Sequence, residues 1–414
     1  MGSQTPNPAD LPPASAPTLV LTNPTEAERQ QTWTRNHAEW GGALSLQEYL
    51  AREPYLTTIP LAADGGITHW ILTDSSNSSS TAGERPVLAS CESLRKRVLV
   101  ASPGSEGSEK AAGEVKDGIA YGVGSVYTYP EHRGRGYAAR MLSDLGTFLR
   151  TYQASDRGGE EAVASALWSD IGKVFYARMG WAVFPSMHVA FRVSASASTP
   201  STPTVEANGG TIKPTAITPI TYANLPAFCA ADEALLRGKL SAAAAESGRT
   251  SVAFAPDHNA LRWHLFRDDF ITGKLFPARA RSEIKGAAAG VEGRRVWAVW
   301  ARNYHRDVDV VDKNTLYILR VAVEDEKAAG EGGEEATAAF AAVMRTALRE
   351  AESWRLGKVD LWNPSPVVRG LIERSGLAHQ WVDRDVNSIP SMMWYGKEDS
   401  SEINWVANEK FCWF

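Results

Sequence analysis

Between Val126 and Leu142 the chain reads VYTYPEHRGRGYAARML, where a strand pattern ends at Pro130 and a basic, glycine-rich loop opens directly into a helical pattern. A strand feeding a helix in this way leaves several backbone amides free at the helix N-terminus, beside the positive end of its dipole. Gly134 and Gly136 allow the backbone to approach a ligand closely, and Arg133 and Arg135 add positive charge. The segment therefore suits a pyrophosphate. A plain turn carrying two surface arginines would use the same residues, so the loop needs support from its surroundings.

Those surroundings read as mixed α/β. Thr25 and Glu28 open an amphipathic helix with a capping box, LSLQEYLARE is helical, and THWILTD, RPVLAS with RKRVLVAS, and AYGVGSVYTYP read as strands. After Pro130 the pattern predicts a long helix over YAARMLSDLGTFLRTYQ, a strand over AVASALW, a helix over GKVFYARMG and a closing strand over MHVAFRV. The same order returns later: TLYILRVAVE (strand), ATAAFAAVMRTALREAESW (helix), VDLW (strand), PVVRGLIERSG (helix) and PSMMWYG (strand). In this second copy the loop is EDEKAAGEGGEE, whose acid groups would repel a phosphate, so it reads as degenerate.

A dinucleotide-binding fingerprint also fits Gly134 to Ala139 formally, as G-x-G-x-x-A. That fold needs a second parallel strand ending in an acid about 20 residues further on. Asp156 is near that distance, but MLSDLGTFLRTYQAS before it is helical, so this reading falls behind.

Arg133-x-x-Gly136-x-Ala138 fits the R/Q-x-x-G-x-G/A signature, and Phe175-Tyr176-Ala177-Arg178-Met179-Gly180-Trp181 is similar to F-Y-x-x-x-G-F. On these two motifs, in this order, the chain resembles the GCN5-related N-acetyltransferases (GNAT). The resemblance implies a mixed central sheet flanked by helices, acetyl-CoA as co-substrate, and a second, degenerate GNAT-like lobe. It also implies that backbone groups of Val126, Tyr127 and Thr128 bind the pantetheine arm, and that Arg133, Gly134, Arg135, Gly136, Tyr137 and Ala138 hold the pyrophosphate. Tyr176 would serve the departing thiolate as general acid. Ser169 stands where the family often has Asn, as a further cofactor contact.

An acceptor amine must lose a proton, and an ordinary lysine amine holds it up to a pH of about 10.4. Glu92 lies on the strand expected beside the cofactor strand and is the leading group to receive the amine; His132, on the phosphate side, is a weaker candidate. A water chain, or a carboxylate on Phe414 at the end of the aromatic tail EINWVANEKFCWF, are alternatives, while the tail's plainer reading is a plug joining the lobes. Trp40, Trp168 and Trp181 are the tryptophans nearest the expected site.

Leu46-x-x-Tyr49-Leu50, Thr68-x-Trp70-Ile71-Leu72, Ser90 to Arg97 and Asn408-Glu409-Lys410-Phe411 extend the resemblance to the fungal lysine N6-acetyltransferases of lysine catabolism. This implies the N6 amine of L-lysine or a related small molecule as acceptor. Two other classes are a protein (histone-type) lysine acetyltransferase and a non-enzymatic CoA-binding pseudo-acetyltransferase. The first lacks a basic docking segment, and the intact pair of motifs argues against the second.

The remaining bounds agree. At 414 residues two lobes are expected, 18–193 for acetyl-CoA and 212–414 for the degenerate copy, joined by the Ser/Thr/Pro-rich linker 194–211. SSNSSSTAG and PGSEGSEKAAGE are further low-complexity stretches. A net charge of -5 gives no reason to bind nucleic acid or an anionic membrane. Cys91, Cys229 and Cys412 are too scattered for disulfides or a metal site, the histidines lack ligand spacing, and no metal is expected. No signal peptide or apolar span is evident, Pro6 breaks a myristoylation motif, and a cytoplasmic location follows. A homodimer is left open.

Overall fold

The computed structural model describes residues 11–77, 85–103, 113–193, 216–330 and 332–414. The expected linker and most of the two other low-complexity stretches lie outside the described residues. The first half of the chain runs β1 (Leu19–Thr22), α1 (Glu26–Trp40), α2 (Leu46–Leu56), β2 (Ile67–Asp74), β3 (Ala89–Ala101), β4 (Val115–Tyr127), α3 (Tyr137–Leu149), β5 (Ala164–Ser169), β6 (Ala182–Val183) and β7 (Met187–Arg192). The second runs β8 (Ile217–Ile220), α4 (Leu225–Ser247), β9 (Ser251–Phe254), α5 (His258–Leu275), β10 (Gly286–Ala289), β11 (Val296–Asn303) and β12 (Thr315–Val323). It continues with α6 (Glu326–Gly330), α7 (Glu334–Ser353), β13 (Lys358–Trp362), α8 (Pro366–Arg374), β14 (Gln380–Asp383), β15 (Ile389–Trp394) and β16 (Asn404–Trp405).

Local chemistry starts these elements where the sequence marks them. Thr25 Oγ1 accepts from the Glu28 amide and Glu28 answers the Thr25 amide at 2.7 Å, which closes the box expected before α1. Ser45 and Glu48 form a second box at α2. Along α3, Met141, Leu142, Leu145 and Leu149 are fully buried, a helical stripe pressed on the sheet. Each such side chain contributes about 1.5–3 kcal/mol on leaving water, as an upper figure.

Two sheets carry the molecule. The first is nine-stranded, with path β1-β2-β3-β4-β5-β15-β6 and β9 paired to β3; the second is seven-stranded, ordered β14-β7-β13-β12-β11-β10-β8. Each has antiparallel strands leading to one parallel pair, β4 with β5 and β12 with β13. The closing strands are exchanged. β15, from the second half, pairs with β5 from Ile389↔Ser169 to Trp394↔Ala164, and β7, from the first half, pairs with β13 from His188↔Trp362 to Arg192↔Lys358. Each sheet is thus complete only with a strand from the other half of the chain.

One expected helix is corrected. Over GKVFYARMG the chain forms turns and a single 3-10 turn at Ala177–Met179, bracketed by Gly172 and Gly180 at φ of 83° and 100°. Left-handed glycines at both ends confine the segment to a length at which a helix is marginal. No helix among the described residues is long and apolar enough to cross a membrane.

Candidate active site

The β4–β5 ladder covers only Ala120–Gly122 opposite Ala164–Ala166, after which the strands part. Beyond Gly122 the β4 edge facing β5, including Val126 and Tyr127, has no paired strand among the described residues and offers its backbone to the wedge between them. Thr128 leads on to the loop, where its carbonyl accepts from Arg133 Nε at 3.0 Å. Gly134 and Gly136 take φ of 75° and 83°, and Gly136 caps α3 with no side-chain partner. Among the described residues the amides of Gly134, Arg135 and Gly136 make no hydrogen bond. A side chain at Gly134 would meet nothing within 4 Å, so the loop is an open cradle of unassigned donors, and it fits a pyrophosphate. Tyr137 is buried and donates its hydroxyl to Pro12 O at 2.5 Å, while Ala138 is half-buried in the first turn of α3.

Glu92 sits in a row across three strands, opposite His69 on β2 and Gly124 on β4. The β3–β4 register slips between Ser90 and Glu92, because β4 bulges at Ser125, a non-glycine residue at φ 52°. The bulge turns Ser125 Oγ onto Glu92 Oε2 at 2.9 Å, while His69 Nε2 lies 3.3 Å from Oε1. Burial pushes the Glu92 carboxyl up, yet the hydrogen bonds from His69 and Ser125, with the charges of His69 and Arg52, hold it below the ordinary range. A cavity of about 10 Å³, roughly the room one water needs, adjoins Glu92, His69, Ser125, Ser90 and Asn36. Ser90 Oγ and Asn36 Oδ1 are buried there without a partner.

Tyr176 begins the 3-10 turn, buried against the α3 side of the sheet, and its hydroxyl makes no hydrogen bond among the described residues. Burial, then the acids Cys91 and Asp170, raise its pKa, so it stays a proton donor. Ser169 is committed to its own loop: its hydroxyl donates to Gly172 O at 2.7 Å and accepts from the Ile171 amide. His132 lies beside the rings of Tyr129 and Tyr137. Trp40 meets Tyr127 edge-on, Trp168 stacks on Trp413, and Trp181 donates to Ser165 Oγ in the core.

The C-terminal segment reaches this region. Lys96 Nζ donates to the carbonyls of Cys412 and Trp413 at 2.7 Å each, and the Phe414 ring lies against Gly122 and Gly124 and beside Trp263 of α5. A side chain at Gly124 would run into that ring.

The sequence reading missed a set of charges gathered around Tyr49. Arg52 donates twice to Glu53 Oε1, at 2.9 and 2.6 Å, and once to Trp40 O. Its guanidinium also lies over the Tyr49 ring at 4.5 Å. The Tyr49 hydroxyl is pushed up by burial, further by Glu53 and Glu92, and is opposed by Arg52 and Arg267. Arg267, on α5 one turn beyond Trp263, acts on the same Tyr49 hydroxyl as Glu92. Only the sequence positions of Tyr49 and Glu92 gave a signal; α5 carries no motif.

A family model described as the LYC1 GNAT-like C-terminal domain matches residues 192–414, more than half of the chain. The chain is 23% identical to a lysine acetyltransferase of Yarrowia lipolytica, over 95% of this chain and 98% of that protein. It is 21% identical to an uncharacterized protein of Saccharomyces cerevisiae, over 92% and 94% of the two chains. Among solved structures, a GCN5-related N-acetyltransferase from Anabaena variabilis aligns over 90% of this chain and 72% of its own, with 12% identity and a TM-score of 0.47.

Proposed function

This chain belongs to the family of the LYC1 GNAT-like C-terminal domain and is an N-acetyltransferase of the GNAT type, and we propose that it acetylates a small-molecule amine, with the N6 amine of L-lysine as leading acceptor. The observation that carries this reading is the placement of Glu92, held by Ser125 of the β4 bulge, directly beside the strand whose open edge and free loop amides suit acetyl-CoA. The lysine acetyltransferase of Yarrowia lipolytica, similar along nearly its whole length, supports lysine as the acceptor.

In this reading the unpaired edge of β4 takes the pantetheine arm as an added strand would, and the amides from Gly134 to Ala138, with Arg133 and Arg135, hold the pyrophosphate. Fixing the thioester against β4 brings its carbonyl to the acceptor side, so that the reaction becomes effectively unimolecular. Glu92, ionised because its hydrogen bonds outweigh its burial, attracts the ammonium form of the acceptor. The proton then leaves through Glu92 and its neighbour His69, and the water-sized cavity beside them offers a continuation. The neutral amine attacks the thioester carbon, the carbon–sulfur bond breaks as Tyr176 donates its hydroxyl proton to the departing thiolate, and the proton shed by the new amide nitrogen restores the Tyr176 hydroxyl.

The decisive experiment is a CoA-release assay with acetyl-CoA against lysine, ornithine, polyamines, amino sugars and a histone peptide. Release with lysine, and N6-acetyl-lysine as the product by mass spectrometry, is the expected result. Turnover of the histone peptide alone would shift the reading to protein acetylation, and tight CoA binding with no turnover on any amine would make the chain a CoA-binding pseudo-enzyme.

A further inference from the structure

The guanidinium groups of Arg52 and Arg267 both act on the Tyr49 hydroxyl, and they differ in one respect. Arg52 is consumed by Glu53, Trp40 O and the Tyr49 ring. Arg267 makes no hydrogen bond and no ion pair among the described residues. A guanidinium has five donors, and one that is withdrawn from bulk water needs an anion to compensate its lost hydration. Glu53, the acid acting on Arg267, already accepts two bonds from Arg52 at its Oε1. Burial, followed by the like charge of Arg52, lowers the Arg267 pKa to about 10, so the native protein leaves its charge under-compensated.

Placement gives that charge a use. Arg267 shares the inward face of α5 with Trp263, which touches Phe414, and His264, which bonds Phe411 O at 3.1 Å. α2 packs on this helix, with Tyr55 stacked on Phe270, and the Phe414 ring lies against Gly124, the residue opposite Glu92 on β4. From Glu92, an amine-attracting carboxylate, the contacts thus run through Gly124, Phe414 and Trp263 to the helix turn that carries Arg267, an anion-seeking guanidinium. We propose that Arg267 anchors a carboxylate on the acceptor, which makes the acceptor an amino acid held by its acid group at α5 while its side-chain amine reaches Glu92. This rests on the acetyltransferase reading above. It separates lysine from cadaverine, which has the same amine and chain but no carboxylate. A site that has lost its expected anion rejects the analogue strongly, because the half-buried cation stays unpaired.

The test measures kcat and KM for lysine and cadaverine in wild type, R267Q and R267K, with melting temperatures as a folding control. Wild type should favour lysine. R267Q should raise the lysine KM about 10- to 100-fold, the worth of a hydrogen-bonded ion pair, and shrink the lysine-over-cadaverine ratio of kcat/KM by the same factor. R267K, which keeps the charge without the planar fork, should restore part of that ratio. Wild type that uses cadaverine as well as lysine, or R267Q that loses both substrates in equal proportion, overturns the anchor and leaves the acetyltransferase reading standing. Wild type that releases no CoA with any amine defeats that reading. Calorimetry of lysine and cadaverine binding to the protein holding CoA then still decides Arg267: equal affinities overturn the anchor, and a lysine preference lost in R267Q supports it.

Discussion

Tyr176 and Glu92 divide the proposed chemistry because β3 presents alternate side chains to opposite faces of the sheet. Glu92 faces His69, while its neighbour Cys91 lies with Tyr176 in the core cluster that includes α3. The Tyr176 hydroxyl is free of partners among the described residues and kept protonated by burial, then by Cys91 and Asp170. Tyr176→Phe should therefore leave acetyl-CoA affinity, read by calorimetry, nearly intact while kcat falls about 10- to 1,000-fold, the range of general acid catalysis. An unchanged kcat under conditions where chemistry limits turnover would remove Tyr176 from the mechanism.

At the scale of elements, the loop and α3 work as one unit because two left-handed glycines turn the chain so that the amides of residues 134–136 have no hydrogen-bond partner among the described residues. Gly136, at φ 83°, caps α3, and a Cβ there would approach the Ala14 Cβ at 3.3 Å. Gly136→Glu adds a strained backbone, a tight contact and a negative charge beside the pyrophosphate. Loss of measurable acetyl-CoA binding in a folded variant is expected by calorimetry, and retained affinity would dislodge the loop from its assignment. The second lobe shows the contrast, since its corresponding helix α7 starts with Glu334 and Glu335 in the first turn.

The whole molecule is held together by exchanged strands and by its C-terminal segment. Glu409 pairs with Arg320 and accepts from the Val321 amide at 3.0 Å on β12, while Lys96 on β3 holds the carbonyls of residues 412 and 413. The Lys96 pKa is lowered to about 8, first by burial. The unfolded chain's lysine titrates near 10.4, so below pH 8 the folded state carries the full cost of a buried charge. Between pH 8 and about 10.4 the unfolded state binds more protons at this site, and stability from this site rises with pH. Lys96→Met should destabilise the protein by about 1–3 kcal/mol near neutral pH by leaving carbonyls unpaired. It should also abolish this alkaline rise relative to wild type in thermal melts across that window. Parallel melting curves for both proteins from pH 8 to 10 would refute the role.

Local chemistry determined the strand–loop–helix unit, the capped starts of α1 and α2, the doubled element order and the placement of Glu92 beside the cofactor strand. These depend on neighbouring residues, backbone rules and periodicity, which a sequence carries openly. Tertiary structure alone decided which strand closes each sheet, because β7 and β15 pair across the halves and alternation cannot tell which open edge a strand will fill. It also decided that Ser125 bulges onto Glu92, and that Arg267 has no ion pair among the described residues. The bulge depends on register, and an unpaired charge is recognised only once every neighbour brought in from distant parts of the chain has been placed.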